Sequence, residues 1–222
     1  MRGGSPAILA GDVVEKPMLV DGTRRPSELI QDWLNTCISH HGPCRNDFSG
    51  KPVFEIEPTG IYPVQPRRLI KVFEENYGAT QPSPRLVERW PPRHADYYVA
   101  LSHCSGPPDK RPLCTTRATL AQHLLQIPWH HLPQTFRDSI SLCMELSIQY
   151  LWIDSLCIVQ DDEDEWAPAA DSMANIYGLS AVTIAVTLAA DCSSGFLDGS
   201  FPDADPKIPW LDSSTQLSVW HT

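Results

Sequence analysis

A carboxylate, a hydroxyl, a thiol, a carboxamide and a second carboxylate follow one another at Asp154, Ser155, Cys157, Gln160 and Asp161, directly after the apolar run Tyr150-Leu-Trp-Ile153. Asp154 or Asp161 has the chemistry of an acid, a base or an electrostatic partner for developing positive charge, and Cys157 that of a nucleophile. Ser155 and Gln160 supply hydrogen bonds to a ligand. A second polar group, Ser102-His103-Cys104 with Gly106, ends the apolar run Tyr98-Val-Ala-Leu101. His103 with Cys157 or Cys104 has the residue types of a base and nucleophile pair. Each residue also has a plainer reading. Asp154 and Ser155 suit a strand end and a capped turn, and Cys157 suits a small core position.

A third group, Cys37, His41 and Cys44, resembles half of a zinc site. Structural zinc takes four nitrogen or sulfur ligands, and no second cluster follows within sixty residues, so no metal is expected.

Side chains at Ser102 and Asp154 act together only if both strands end on one side of a sheet. The pattern supplies such elements. Tyr97–Ser102 and Tyr150–Ile153 read as short buried strands, and Ala181–Leu188 as a continuous apolar strand buried on both faces. Between the first two, Thr115 or Thr116 caps a helix bearing Leu120, Leu124 and Leu125. Thr135-Phe-Arg-Asp138 has the form of a capping box opening a second helix, with Phe136, Ile140, Cys143, Met144 and Ile148 on its apolar face. The five acids from Asp161 to Glu165 suit the positive end of a third helix, whose stripe is Trp166, Ala169, Ala170, Met173, Ile176 and Tyr177, closed by Gly178. The result is a βαβαβ core in an open, mostly parallel α/β sheet with flanking helices. Its strands beginning near Tyr98, Tyr150 and Ala181 are expected to be parallel neighbours with their C-terminal ends on one rim, where open α/β folds place ligands. Asp191-Cys-Ser-Ser-Gly195 is a third strand-end loop.

Upstream, residues 1–26 read as a flexible arm and 27–94 as an N-terminal extension. In the extension Ser27 caps a short helix, Pro52–Ile56 and Arg68–Val72 form one or two edge strands, and the tract from 78 to 93 is a linker. Residues 95–198 form the core and 199–222 a loosely structured tail. At 222 residues with 42% hydrophobic content the chain is long enough for a real core. A net charge of −10, with no stripe of Lys and Arg interleaved with aromatics, argues against nucleic acid as a partner. Seven scattered cysteines without a CxxC pair suit reduced thiols in a cytoplasmic protein. No run approaches the ~20 apolar residues of a membrane span.

The blocks Tyr98-Val-Ala-Leu-Ser-His-Cys-Ser-Gly106, Leu132-Pro-Gln-Thr-Phe-Arg-Asp-Ser-Ile140, Tyr150 through Asp161, and Trp166 through Ala185 followed by Ser194-Gly-Phe-Leu197, together resemble the HET domain of fungal heterokaryon-incompatibility proteins. Trp33-Leu34 with Cys37, His41 and Cys44, and Arg68–Val72, look like that family's lead-in. The resemblance implies a self/non-self recognition module whose activation leads to cell death, acting through protein partners or self-association, on a fold remotely similar to TIR domains. Because some TIR domains cleave NAD, it also implies NAD as a candidate substrate, held in a pocket of Ser102, His103, Gly106, Ser155 and Gln160 beside Asp154, Cys157 and Asp161. Two departures bear on that activity. Ser105 stands where the family usually has Trp, and Ala169 where it usually has Glu, which removes a carboxylate suited to stabilising an oxocarbenium charge. A Cys/His nucleophilic enzyme is the third alternative.

Overall fold

The computed structural model of the chain describes residues 25–40, 66–74, 82–88, 98–107, 111–186 and 191–197. The arm before Arg25, the run Pro52–Ile56, His41, Cys44 and the tail from 199 lie outside them.

The architecture is α/β. One sheet holds β1 (Leu69–Lys71), β2 (Arg85–Val87), β3 (Tyr98–Ser102), β4 (Tyr150–Ile153) and β5 (Val182–Ala185), in the order β2-β1-β4-β3-β5. Strands β4, β3 and β5 are parallel, while β1 runs antiparallel to both of its neighbours. All four residues of β4 and the first four of β3 are buried, as expected of central parallel strands covered on both faces.

The crossover from β3 to β4 carries α2 (Leu120–Leu125) and α3 (Gln134–Glu145). From α3, Phe136, Ile140 and Cys143 enter the core, with Met144 packed against it. The helix stops in a Schellman turn: Ser147 takes φ 57°, its N–H donates to Met144 O, and Ile148 N–H donates to Cys143 O at 2.9 Å. The β4 chain turns at once into the single helical turn α4 (Asp154–Cys157), then into α5 (Glu163–Gly178), which returns it to β5. Three acids occupy the first turn of α5, where the helix dipole favours them.

Several expectations are corrected. The N-terminal helix α1 (Pro26–His40) begins at Pro26 and includes Ser27, so Ser27 is not its cap. Helix α2 starts at Leu120, later than a cap at Thr115 or Thr116 allows, because Thr115 is held in a parallel bridge to Val159. The tract from 78 to 93 contains β2. Strand β1 is no edge strand, being inserted between β2 and β4. Among the described residues strand β5 is itself an edge, with Thr183 and Ala185 exposed, so it is not buried on both faces. Along α5 the stripe holds for Ala169, Met173, Ile176 and Tyr177, but Trp166 is 52% exposed.

Candidate functional site

The pairing of Leu101 with Ile153 sets the next residues of each strand, Ser102 and Asp154, at the same end of the sheet. His103 follows Ser102, and its side chain is only 2% exposed. Its ring stands edge-on to Phe136, centroids 5.0 Å apart. Its Nδ1 lies 3.8 Å from Asp154 Oδ1, too long for a hydrogen bond. Neither ring nitrogen has a hydrogen-bond partner among the described residues. Burial, only partly offset by the Asp154 charge, holds the imidazole below its ordinary range. At neutral pH the ring beside Asp154 is therefore neutral.

Asp154 is half-exposed, and its Oδ1 accepts the N–H of Ser155 at 2.7 Å. The Ser155 hydroxyl is buried and unpartnered among the described residues. Tyr177, from the last turns of α5, brings its hydroxyl to Ser102 and into the field of Asp154; burial first, then that charge, pushes its acidity down. Gly106 takes φ 76°, the conformation that lets the chain turn away after the rim.

The loop after β5 closes the far side. Cys192 is buried, and its thiol donates to Cys104 O at 3.1 Å, while its carbonyl accepts the N–H of Thr135. Asp138 holds this loop in place. Its Oδ2 accepts the N–H groups of Phe196 (2.6 Å) and Leu197 (3.0 Å), and its Oδ1 accepts Gln134 Nε2 at 2.7 Å. The capping box expected at Thr135 and Asp138 is thus replaced by a long-range clamp: α3 carries no side-chain cap, and Pro133 precedes its first turn. The carboxylate fits because Gly195 has no Cβ. One added there would lie 2.6 Å from Asp138 Oδ2, at a φ of +72°.

Ser102, His103, Asp154 and Ser155 are thereby brought to one rim, and three other expected site residues have separate work. Gln160 donates to Asp154 O and Ile158 O, and Asp161 accepts the N–H of Arg117 at 2.7 Å, so both brace the turn before α5. Cys157 lies in the core, and burial pushes its thiol up to about 12, which withholds the thiolate a nucleophile needs. The Cys104 thiol is exposed at the rim.

Two groups escaped the sequence reading. Tyr177 was absorbed into a core stripe, although a tyrosine at the end of an apolar stripe has a hydroxyl that must find polar company. Arg68 is 2% exposed and makes paired hydrogen bonds to Glu165, with further bonds to Glu88 and Cys157 O. Its only signal was an arginine pair, Arg67-Arg68, at the head of an apolar run.

The arrangement can bind and orient a polar ligand. It offers a fixed negative charge, a neutral ring and hydroxyls at the ends of parallel strands. No cluster of three or more metal-binding side chains occurs among the described residues. No described helix is long and apolar enough to cross a membrane. A concavity of about 550 Å³ lined by Gln122, Leu125, Gln126, Pro128, Trp129 and His130 contains none of the rim groups. A family model described as heterokaryon incompatibility protein (HET) matches residues 98–218, more than half of the chain. No curated protein and no solved structure matches.

Proposed function

We propose that this chain, which belongs to the heterokaryon incompatibility (HET) family, is a signalling module of fungal self/non-self recognition that triggers cell death through self-association or a protein partner. The observation that carries this reading is the rim itself. Asp154, His103, Ser102 and Ser155 converge there, yet no base and nucleophile are joined by a hydrogen bond: Cys157 is buried with a raised thiol, and neither ring nitrogen of His103 has a hydrogen-bond partner among the described residues. Such a set recognises more readily than it cleaves. Helix α5 offers Ala169 on its core-facing side, so that position brings no acid toward the sheet.

The test is Asp154→Asn. The amide keeps an oxygen for the Ser155 N–H, and Asp154 is half-exposed, so stability shifts by no more than about 1 kcal/mol. In a fungal expression assay the wild-type chain arrests growth and the variant, at equal abundance, does not. Unchanged arrest by the variant would remove the rim from the mechanism.

An NAD-cleaving activity is the second reading, favoured by one observation, the half-exposed Asp154 carboxylate beside unpartnered buried His103 and Ser155. Purified wild-type protein that releases nicotinamide, with Asp154→Asn inactive in that reaction, would make it the better account.

A further inference from the structure

Two cysteines meet at this rim from loops far apart in sequence. Cys104 follows β3 and is exposed; Cys192 lies in the loop after β5 and is buried. They are brought together by the parallel pairing of β3 and β5, which ends at Ser102 opposite Ala185, and by the Asp138 clamp that folds the 191–197 loop back over the strand ends. The Cys192 sulfur rests 3.1 Å from the Cys104 carbonyl oxygen. The Cys192 thiol thus already touches the backbone of Cys104, the proximity from which a turn of the Cys104 side chain would bring the two sulfurs together.

We propose that Cys104 and Cys192 are a peroxide-responsive pair that forms a disulfide across the rim, tying the loop after β3 to the loop after β5 beside His103 and Asp154.

The chemistry divides between the two sulfurs by exposure. The accessible Cys104, as thiolate, attacks a peroxide oxygen; the O–O bond breaks, the departing oxygen leaves as water or alcohol after taking up a proton, and Cys104 becomes a sulfenic acid. The Cys192 sulfur then attacks the Cys104 sulfur, the S–O bond breaks, and water leaves with the proton that Cys192 gives up. The two thiols together lose two electrons and two protons, and the peroxide gains both. Cys192 is suited only to the second step, because burial first, and then the charges of Asp191 and Asp154, push its thiol up to about 12. A thiol raised in this way attacks more slowly than an ordinary one, which leaves the sulfenic acid open to a trapping reagent. The bridge does not depend on the rim binding any ligand.

The experiment uses the full chain, purified reduced and then exposed to hydrogen peroxide at a few equivalents. Remaining thiols are alkylated, and the digest is mapped by mass spectrometry. The expected result is a peptide linking Cys104 to Cys192, abolished by dithiothreitol and absent from Cys104→Ser. A sulfenic-acid trap labels Cys104 in wild type, and the labelling rises several-fold in Cys192→Ala. Since Cys192→Ala removes a buried side chain, the wild-type linkage and the wild-type trap both stand without it. Amide exchange of Phe196 and Leu197 slows about tenfold on oxidation. Irreversible oxidation of Cys104 with Cys192 still alkylatable after unfolding, or linkage of either cysteine to Cys37 or Cys114 instead, would overturn the proposal.

Discussion

Replacing Asp138 by alanine removes the acceptor that two backbone N–H groups share. Hydrogen bonds to a charged group contribute about 1.5–3 kcal/mol each, and the donors of Phe196 and Leu197 are half-buried, so water recovers part of the loss. The expected cost is about 3 kcal/mol. Asp138→Asn is milder. Its amide oxygen can keep the two N–H groups while its NH₂ faces Gln134, whose own amide turns to accept, leaving a cost of about 1 kcal/mol. Gly195→Ala attacks the same contact from the other side. The methyl group would lie 2.6 Å from both Asp138 Oδ2 and Gln134 Cγ, and the backbone there has φ +72°. Backbone strain of that kind costs about 1–3 kcal/mol before any overlap is counted. Once Asp138 is already alanine, one of the two colliding atoms is gone and only Gln134 Cγ remains, so the double variant should lose about 1 kcal/mol less than the sum of the singles. Urea unfolding of the four proteins, followed by tryptophan fluorescence and far-ultraviolet circular dichroism with coincident transitions, measures the cycle. Strictly additive costs, or an Asp138→Ala cost below about 0.5 kcal/mol, would show that the clamp does not hold this loop.

Ser147→Gly should stabilise the protein by roughly 0.5–1 kcal/mol, because Ser147 occupies the left-handed position of the Schellman turn at φ 57°, where glycine carries no Cβ penalty; a lowered urea midpoint would contradict this. Stability should also fall with acidification. His103 and His123 are both held below their ordinary range by burial, so unfolded imidazoles take up protons near pH 6.5 while the folded ones resist. That contribution is whole above about pH 6.5 and is lost as pH falls through the folded values. The urea midpoint at about pH 7.5 should exceed that at about pH 5.5, by less in His103→Asn; a midpoint flat across this window in wild type would refute it.

The central strands and their shared rim were legible because their signals are local. Tyr150–Ile153 is apolar without interruption and Asp154 breaks it abruptly, which marks both a buried strand and its end. Parallel pairing of β3, β4 and β5 then follows from the crossovers. What failed was non-local. Asp138 looks like a cap within its own four residues, and its real partners lie at Phe196 and Leu197. An apolar run such as Ala181–Val186 states that a strand forms, but not that it has a strand neighbour on one side alone among the described residues. Nor does the nearness of Asp161 and Gln160 to Asp154 in sequence reveal the backbone partners that the turn after α4 gives them at Arg117 and Ile158. Among the candidate residues, those on the strand ends were placed by pattern, and those one turn further on were decided by packing.

The insertion of β1 beside β4 also bears on how the chain can be divided. The family match begins at residue 98, at the start of β3, and so leaves out β1 and β2. A chain begun there would bare the edge of β4 at Tyr150 and Leu151, the residues that Lys71 and Ile70 now pair. Central strands of this apolar kind, once opened along an edge, recruit further copies edge to edge. The same cut would remove Arg68, leaving the Glu165 carboxylate, 9% exposed, without the buried guanidinium that it now faces. Residues 66–74 and 82–88 thus cover the open side of the strand that carries Asp154, and a chain begun at residue 98 is expected to aggregate more readily than the full chain.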